Sequence, residues 1–213
     1  MNGVLVLNKP KGLTSHDCVF KIRKILKTKK VGHTGTLDPE VTGVLPICIG
    51  NATKLVEFLT AEQKTYIADI TLGFSTTTED QTGEVVEKKE ITKVISKTNI
   101  QQALEKLTGE IQQTPPMYSA VKVNGKKLYE YARAGIEVER PTRTVTIHQL
   151  KLLQAENAYE PQETISFTIE VTCSKGTYVR TLAVAIGELL GYPAHMSKLQ
   201  RTASGNFTLE ESI

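Results

Sequence analysis

Residues 32–43 read GHTGTLDPEVTG, and no other stretch restricts the fold of this chain as tightly. Three glycines in twelve residues lift the Cβ sterics that forbid close turning, so the segment can double back against other backbone. Asp38 sits before Pro39, and a residue before proline is pushed to extended φ/ψ. Just upstream, residues 21–30 (KIRKILKTKK) carry six basic residues and no acidic one. A stiff loop holding a carboxylate beside a basic helix suits a reactive acid presented to a polyanion. Spacing alone, however, reads Asp38 first as a turn-shaping residue and only second as a reactive group.

The bulk numbers leave that choice open. The chain has 213 residues, 26 Lys and Arg against 23 Asp and Glu, and a formal net charge of +3. That permits nucleic-acid binding without demanding it, so local clustering of charge must carry the point. Cys18, Cys48 and Cys173 are far apart and odd in number, which reads as three buried, reduced thiols. The short apolar run at residues 4–7 is stopped by Asn8, Lys9 and Pro10, and no segment reaches membrane length. These features together predict a cytoplasmic protein.

The patterning predicts an α+β fold with a mixed, mainly antiparallel sheet flanked by helices. Residues 4–7 read as a buried strand, and Thr14 or Ser15 as the cap of a basic helix with Cys18, Val19, Ile22, Ile25 and Leu26 in its apolar stripe. Residues 43–49 read as a strand, and residues 51–53 as the cap of a second helix. Residues 66–72 alternate as a half-buried strand. A polar connector is expected at residues 76–90, then a helix capped by Thr98 and closed by Gly109. Asn124-Gly125 signals a tight hairpin turn. A short helix at residues 127–134, strands at 145–153 and 164–173, a helix capped by Thr177 and a last strand at 199–207 complete the reading. Strands and helices do not alternate regularly, which disfavours a doubly wound sheet.

Several chemistries are excluded by what is missing. No G-K-[ST] follows the glycines, and no G-x-G-x-x-G occurs. His16, His33, His148 and His195 lack metal-ligand spacing. The serines lack a nucleophile-elbow context. No metal and no nucleotide cofactor is expected.

Five segments occur in order: NKPKGLTS at 8–15, GHTGTLDPEVTGVLP at 32–46, KTY at 64–66, PPMYSAVKVNGKKLYEYAR at 115–133 and KGTYVRTL at 175–182. Together they resemble the bacterial tRNA pseudouridine-55 synthase family, the TruB class, over nearly the whole chain. The resemblance implies isomerisation of the T-loop uridine of tRNA to pseudouridine, with base flipping and no cofactor. Asp38 matches the essential carboxylate. Attack at C1′, attack at C6 and deprotonation at C2′ all remain open for it. Arg180 matches the arginine that pairs with that carboxylate, and an adjacent guanidinium favours the charged form. Tyr66 matches the aromatic that stacks on the flipped base, His33 the residue that fills the space the base leaves, and Leu199 an apolar wall of the base pocket.

The RNA contacts implied are Lys9, Lys21, Arg23, Lys24, Lys27 and Lys64, with Lys122, Lys126, Lys127, Arg133 and Arg143 on a thumb-like insertion at about residues 114–143. The partner implied is the T-arm stem-loop, bound by a monomer. Residues 1–213 are expected to form a single catalytic domain. Family members continue into a small PUA-type RNA-binding domain; this chain stops at Ile213, so its tRNA affinity is expected to be the lower one, with an unaffected active site. Two rivals share the basic helix and thumb: a non-catalytic RNA-binding module, and a guide-dependent relative acting through protein partners.

Overall fold

The computed structural model describes all 213 residues. In chain order the elements are β1 (Gly3–Lys9), α1 (Ser15–Leu26), β2 (Val31–His33), β3 (Thr42–Ile49), a 3₁₀ turn (Gly50–Leu55), α2 (Val56–Ala61), β4 (Lys64–Leu72), β5 (Phe74–Thr76) and β6 (Val85–Lys88). There follow β7 (Ile95–Ser96), α3 (Lys97–Lys106), β8 (Gly109–Gln113), β9 (Lys122–Val123), β10 (Lys126–Lys127) and α4 (Leu128–Arg133). The chain ends with β11 (Arg143–Gln154), β12 (Ala158–Tyr159), β13 (Ile165–Cys173), α5 (Val179–Leu190), β14 (Ala194–Ser204) and β15 (Phe207–Thr208). The main sheet has nine strands, ordered β1-β3-β14-β4-β13-β11-β8 with β2 beside β3 and β15 beside β14. This is the α+β, mainly antiparallel arrangement that the patterning predicts. No helix is long and apolar enough to cross a membrane.

The chain divides into two compact units, one of residues 1–67, 172–175 and 199–213, the other of residues 68–171 and 176–198. In the first, β1 and β3 pair antiparallel from Gly3↔Ile49 to Lys9↔Gly43. Thr14 and Asp17 form a capping box that starts α1, satisfying two orphan donors. Cys18, Val19 and Ile22 pack with Val31, Leu37, Val41, Leu45, Ile47 and Ile49. Ile25, expected in that stripe, is instead 75% exposed in the last helical turn. Asn51 caps nothing, since the 3₁₀ turn begins without a side-chain cap and the true helix starts five residues later.

In the second unit, β13 alternates with Ile165, Phe167, Ile169 and Val171 buried. The helices α3 and α5 bury Ile100, Ala103 and Leu104, and Val179, Leu182, Ala183 and Ile186. Helix α3 is capped by Ser96 with Asn99, not by Thr98. Gly109 opens strand β8 rather than closing the helix. The expected polar connector holds a hairpin, β5 against β6. Every residue of β6 is exposed, so no alternation marked it. Thr177 does not cap α5; Tyr178 stands at that position without a side-chain cap. The Asn124-Gly125 turn forms as expected, with both φ angles positive (49° and 82°) between β9 and β10.

Candidate active site

The loop that carries Asp38 is clamped on both sides of it. On one side the buried Ser15 hydroxyl accepts from the Leu37 amide at 2.8 Å and donates to the Leu37 carbonyl at 3.3 Å. On the other side the Pro39 carbonyl accepts from the Gly12 amide at 2.8 Å and from Lys9 Nζ at 3.2 Å. The Asp38 carbonyl accepts from Val41 N at 3.1 Å, closing a turn. Leu37 and Val41 are buried in the core while Asp38 is exposed. The loop therefore anchors two apolar residues and two backbone stations, and projects the carboxylate between them.

Lys9 is the first residue to depart from expectation. It is fully buried. Its ammonium donates to the Leu13 carbonyl at 2.6 Å and the Pro10 carbonyl at 2.9 Å, besides Pro39. An amine with three acceptors inside the fold has no donor left for phosphate. Lys9 is thus corrected from an RNA contact to a clamp of the Asp38 loop. Burial lowers its pKa, and the nearby Cys18, Asp38 and Glu40 charges oppose that.

Lys64 is corrected in the same way. It is buried, and Nζ donates to the carbonyls of Leu59, Thr60 (2.7 Å) and Glu62 at the end of α2. Burial first, and the Arg201 charge second, bring its pKa down to about 8 from 10.5. The unfolded chain then holds more proton than the folded one between about 8 and 10.5, so stability rises with pH across that window and the penalty is constant below it. Urea unfolding at about pH 7.5 and pH 9.5 should show a larger gain for the wild type than for Lys64→Met. Equal gains would contradict this account of Lys64. Arg23 is half-buried, and one guanidinium nitrogen donates to the Val31 carbonyl at 2.8 Å, pinning α1 to β2.

His33 lies at the end of β2, where the Gly35 amide donates to its Nδ1 at 3.3 Å, leaving the proton on Nε2. Burial, then the charges of Arg201 and His16, lower its pKa, so the ring is neutral near pH 7. Tyr66 and Leu199 are half-buried and pack against the same core that holds Leu37 and Val41. Burial raises the Tyr66 phenol, which keeps it protonated.

Sequence reasoning missed Arg201. This side chain is 1% exposed, one of the largest in the protein to be fully buried. Nε donates to the Val44 carbonyl at 2.7 Å and Nη2 to the Gly35 carbonyl at 3.2 Å. Gly43 makes room for its backbone: a Cβ there would stand 2.1 Å from the Arg201 oxygen, where β14 and β3 run parallel.

Arg180 belongs to the second unit. It is buried in the first turn of α5, donating to the Thr78 carbonyl at 3.0 Å and the Tyr118 carbonyl at 3.2 Å, with Asp80 at 3.6 Å. Its approach is fixed by the buried Gln113 amide, which donates to the Tyr178 carbonyl and accepts from the Tyr178 amide. Asp80 is not a residue the sequence singled out. It is held in a turn by the Thr78 and Thr82 hydroxyls.

The remaining basic residues are solvent-facing. Lys21, Lys24 and Lys27 are exposed on α1, with Lys24 over the Phe20 ring at 4.6 Å. Lys122, Lys126, Arg133 and Arg143 are exposed in the insertion, where Lys127 and Arg133 flank the Tyr129 ring at 5.3 and 5.2 Å.

Residues 23–179 match the family described as TruB family pseudouridylate synthase, N-terminal domain, and residues 180–213 match the tRNA pseudouridylate synthase B C-terminal domain. The chain belongs to the TruB family of pseudouridylate synthases. It is 69% identical over 211 residues to a Bacillus subtilis protein named tRNA pseudouridine synthase B, covering 99% of this chain and 68% of that one. It is 67% identical to the protein of that name in Bacillus anthracis, over all of this chain and 69% of the relative. Among solved structures, a Cbf5-Nop10-Gar1 complex aligns with a TM-score of 0.71 at 34% identity, over 97% of this chain and 50% of that one. An H/ACA RNP bound to a substrate RNA containing 2′-deoxyuridine aligns at 0.67 and 30% identity, over 97% of this chain and 48% of that one. The chain thus spans about half the length of those two structures.

Proposed function

We propose that the protein isomerises the T-loop uridine at position 55 of tRNA to pseudouridine, with Asp38 as the catalytic carboxylate. The observation that carries this reading is the exposed Asp38 fixed between the Ser15 clamp at Leu37 and the Lys9 and Gly12 clamps at Pro39. Two relatives at 67% and 69% identity named tRNA pseudouridine synthase B support tRNA as the substrate. The reaction breaks the N1–C1′ bond, turns the base and forms C5–C1′; the C5 proton is lost and N1 gains one. Asp38 is the group that acts on the nucleotide, and Arg180 is the supporting arginine that the family resemblance implies.

A uridine inside a folded loop must first leave the stack, at a cost of a few kcal/mol. Stacking on Tyr66 returns roughly 1–3 kcal/mol. His33, neutral and half-buried, occupies the space the base vacates, and Leu199 lines the pocket that receives it. The insertion at about residues 114–143 grips the RNA as a thumb within one catalytic domain. Lys21, Arg23, Lys24, Lys27, Lys122, Lys126, Lys127, Arg133 and Arg143 contact the T-arm backbone by shape. The protein works as a cytoplasmic monomer without a cofactor.

Carbodiimide mapping of an unmodified tRNA transcript, incubated with the protein and no other protein, tests this reading. One new reverse-transcription stop, at the T-loop uridine, is expected. No stop, or stops at other uridines, would contradict it. Affinity for the T-arm should also fall roughly 10²–10³-fold between 50 and 200 mM salt, for about six phosphate contacts. A flat salt profile would remove the basic helix and thumb from the interface.

A further inference from the structure

Glu79 is an acid of the second unit that the proposed reaction leaves without a role. It lies between β5 and β6, half-buried, with φ at +62°. Side chains rarely enter that left-handed region, and Gly, Asn or Asp would occupy it with less strain. The Glu79 carboxylate has a partner: Oε2 accepts from the Thr181 hydroxyl at 2.7 Å. Thr181 follows Arg180 in the first turn of α5. The residues on either side of Glu79 seat the Arg180 guanidinium. Nη1 donates to the Thr78 carbonyl at 3.0 Å, and the Asp80 carboxylate stands 3.6 Å away. The turn is also held to the sheet. The Glu79 carbonyl accepts from the Met196 amide at 3.0 Å, and the Gln81 amide donates to the Met196 carbonyl at 3.2 Å, both on β14. Backbone bonds thus tie the turn to β14, and the Glu79–Thr181 bond ties it to the helix that carries Arg180.

We propose that Glu79 is a positioning residue: its bond to the Thr181 hydroxyl holds residues 78–80 against the first turn of α5 and so sets the direction of the Arg180 guanidinium. The inference rests on Arg180 supporting the reaction at Asp38. A guanidinium sits at the end of a flexible stem. Acceptors at Thr78 and Asp80 direct it only while they keep their place relative to its Cα. Thr181 is next to that Cα, so the bond fixes the acceptors where their position matters. A misplacement of about 1 Å at a site of this kind costs up to about 10²-fold in rate. The effect of Glu79 falls on turnover and not on RNA affinity, because its carboxylate is spent on Thr181.

The test is single-turnover tritium release from a T-arm stem-loop labelled at uridine C5, with RNA Kd and urea midpoint measured alongside. Glu79→Ala is expected to slow turnover about 10-fold or more, the effect of one hydrogen bond to a charged group, with Kd within about threefold. Thr181→Val removes the hydroxyl from the other side and should slow turnover as much; it carries the test if Glu79→Ala does not fold. Glu79→Gln keeps an acceptor and Thr181→Ser a hydroxyl, so each should stay within about threefold of the wild type. Glu79→Ala in an Arg180→Lys background should add less than about threefold, because the fork it directs is already gone. Wild-type turnover in both Glu79→Ala and Thr181→Val would overturn the proposal, as would Glu79→Gln as slow as Glu79→Ala, or effects that multiply with Arg180→Lys. Arg180→Lys alone separates this link from the reading beneath it. Slow Arg180→Lys with wild-type Glu79→Ala refutes only the Glu79 link, whereas wild-type rates in both refute the supporting role of Arg180 itself.

Discussion

Asp38→Asn is expected to stop pseudouridine formation while leaving RNA binding intact. The side chains are isosteric, so the loop should not move. Its clamps run through the backbone of Leu37 and Pro39 and through the carbonyl of Asp38, none of which the substitution changes. What is lost is an ionised oxygen able to act as nucleophile or base. Removing such a group from an enzyme that depends on it lowers the rate by about 10⁴-fold or more. T-arm affinity should change by less than about threefold, and stability by less than about 0.5 kcal/mol because the position is exposed. Single-turnover kinetics with an excess of protein, together with filter binding, measures both. Residual activity within tenfold of the wild type would remove Asp38 from the chemistry and return it to the turn-shaping role that spacing alone suggests.

Gly43→Ala carries the largest expected effect on folding. Gly43 has φ +107°, a region that side chains rarely enter. The added Cβ would also meet the backbone of Arg201, 2.1 Å from its oxygen and 2.8 Å from its nitrogen. Neither atom is the end of a flexible side chain, so β3 and β14 must separate where they pair. Strain and lost pairing together should cost about 3 kcal/mol or more. Gly125→Ala is the matched control. Its φ is +82°, but nothing lies within 4 Å of the added carbon, so only the backbone penalty of about 1 kcal/mol applies. Urea unfolding of the two variants compares them directly. A Gly43→Ala cost no greater than that of Gly125→Ala would contradict the close approach.

The elements with strong periodicity were legible in the chain: β4 and β13 through alternation, α3 and α5 through apolar residues at helical spacing. The Asp38 loop was legible because its signal is local, three glycines and a proline within twelve residues. The β5–β6 hairpin was not, because an exposed strand has no face to pattern. Lys9 and Lys64 were misassigned for one reason. A cation in a sequence reads as solvated, yet these two find backbone carbonyls inside the fold. Arg201 was invisible for a related reason. Its burial depends on β14 lying beside β3, a pairing between residues 42–43 and 200–201 that no local pattern reports. Asp80, the carboxylate beside Arg180, likewise meets it only through tertiary folding, a hundred residues apart in sequence.

On the reading proposed, the clamped loop delivers the Asp38 carboxylate to a flipped uridine. A crystal structure of the protein with a T-arm stem-loop carrying 5-fluorouridine at the target position tests it most directly. The expected complex has a nucleotide turned out of the loop, its base stacked on Tyr66, His33 in the vacated space and the Asp38 carboxylate in contact with the sugar or base. A target nucleotide still stacked within the T-loop, or one flipped out with Asp38 far from it, would contradict the account.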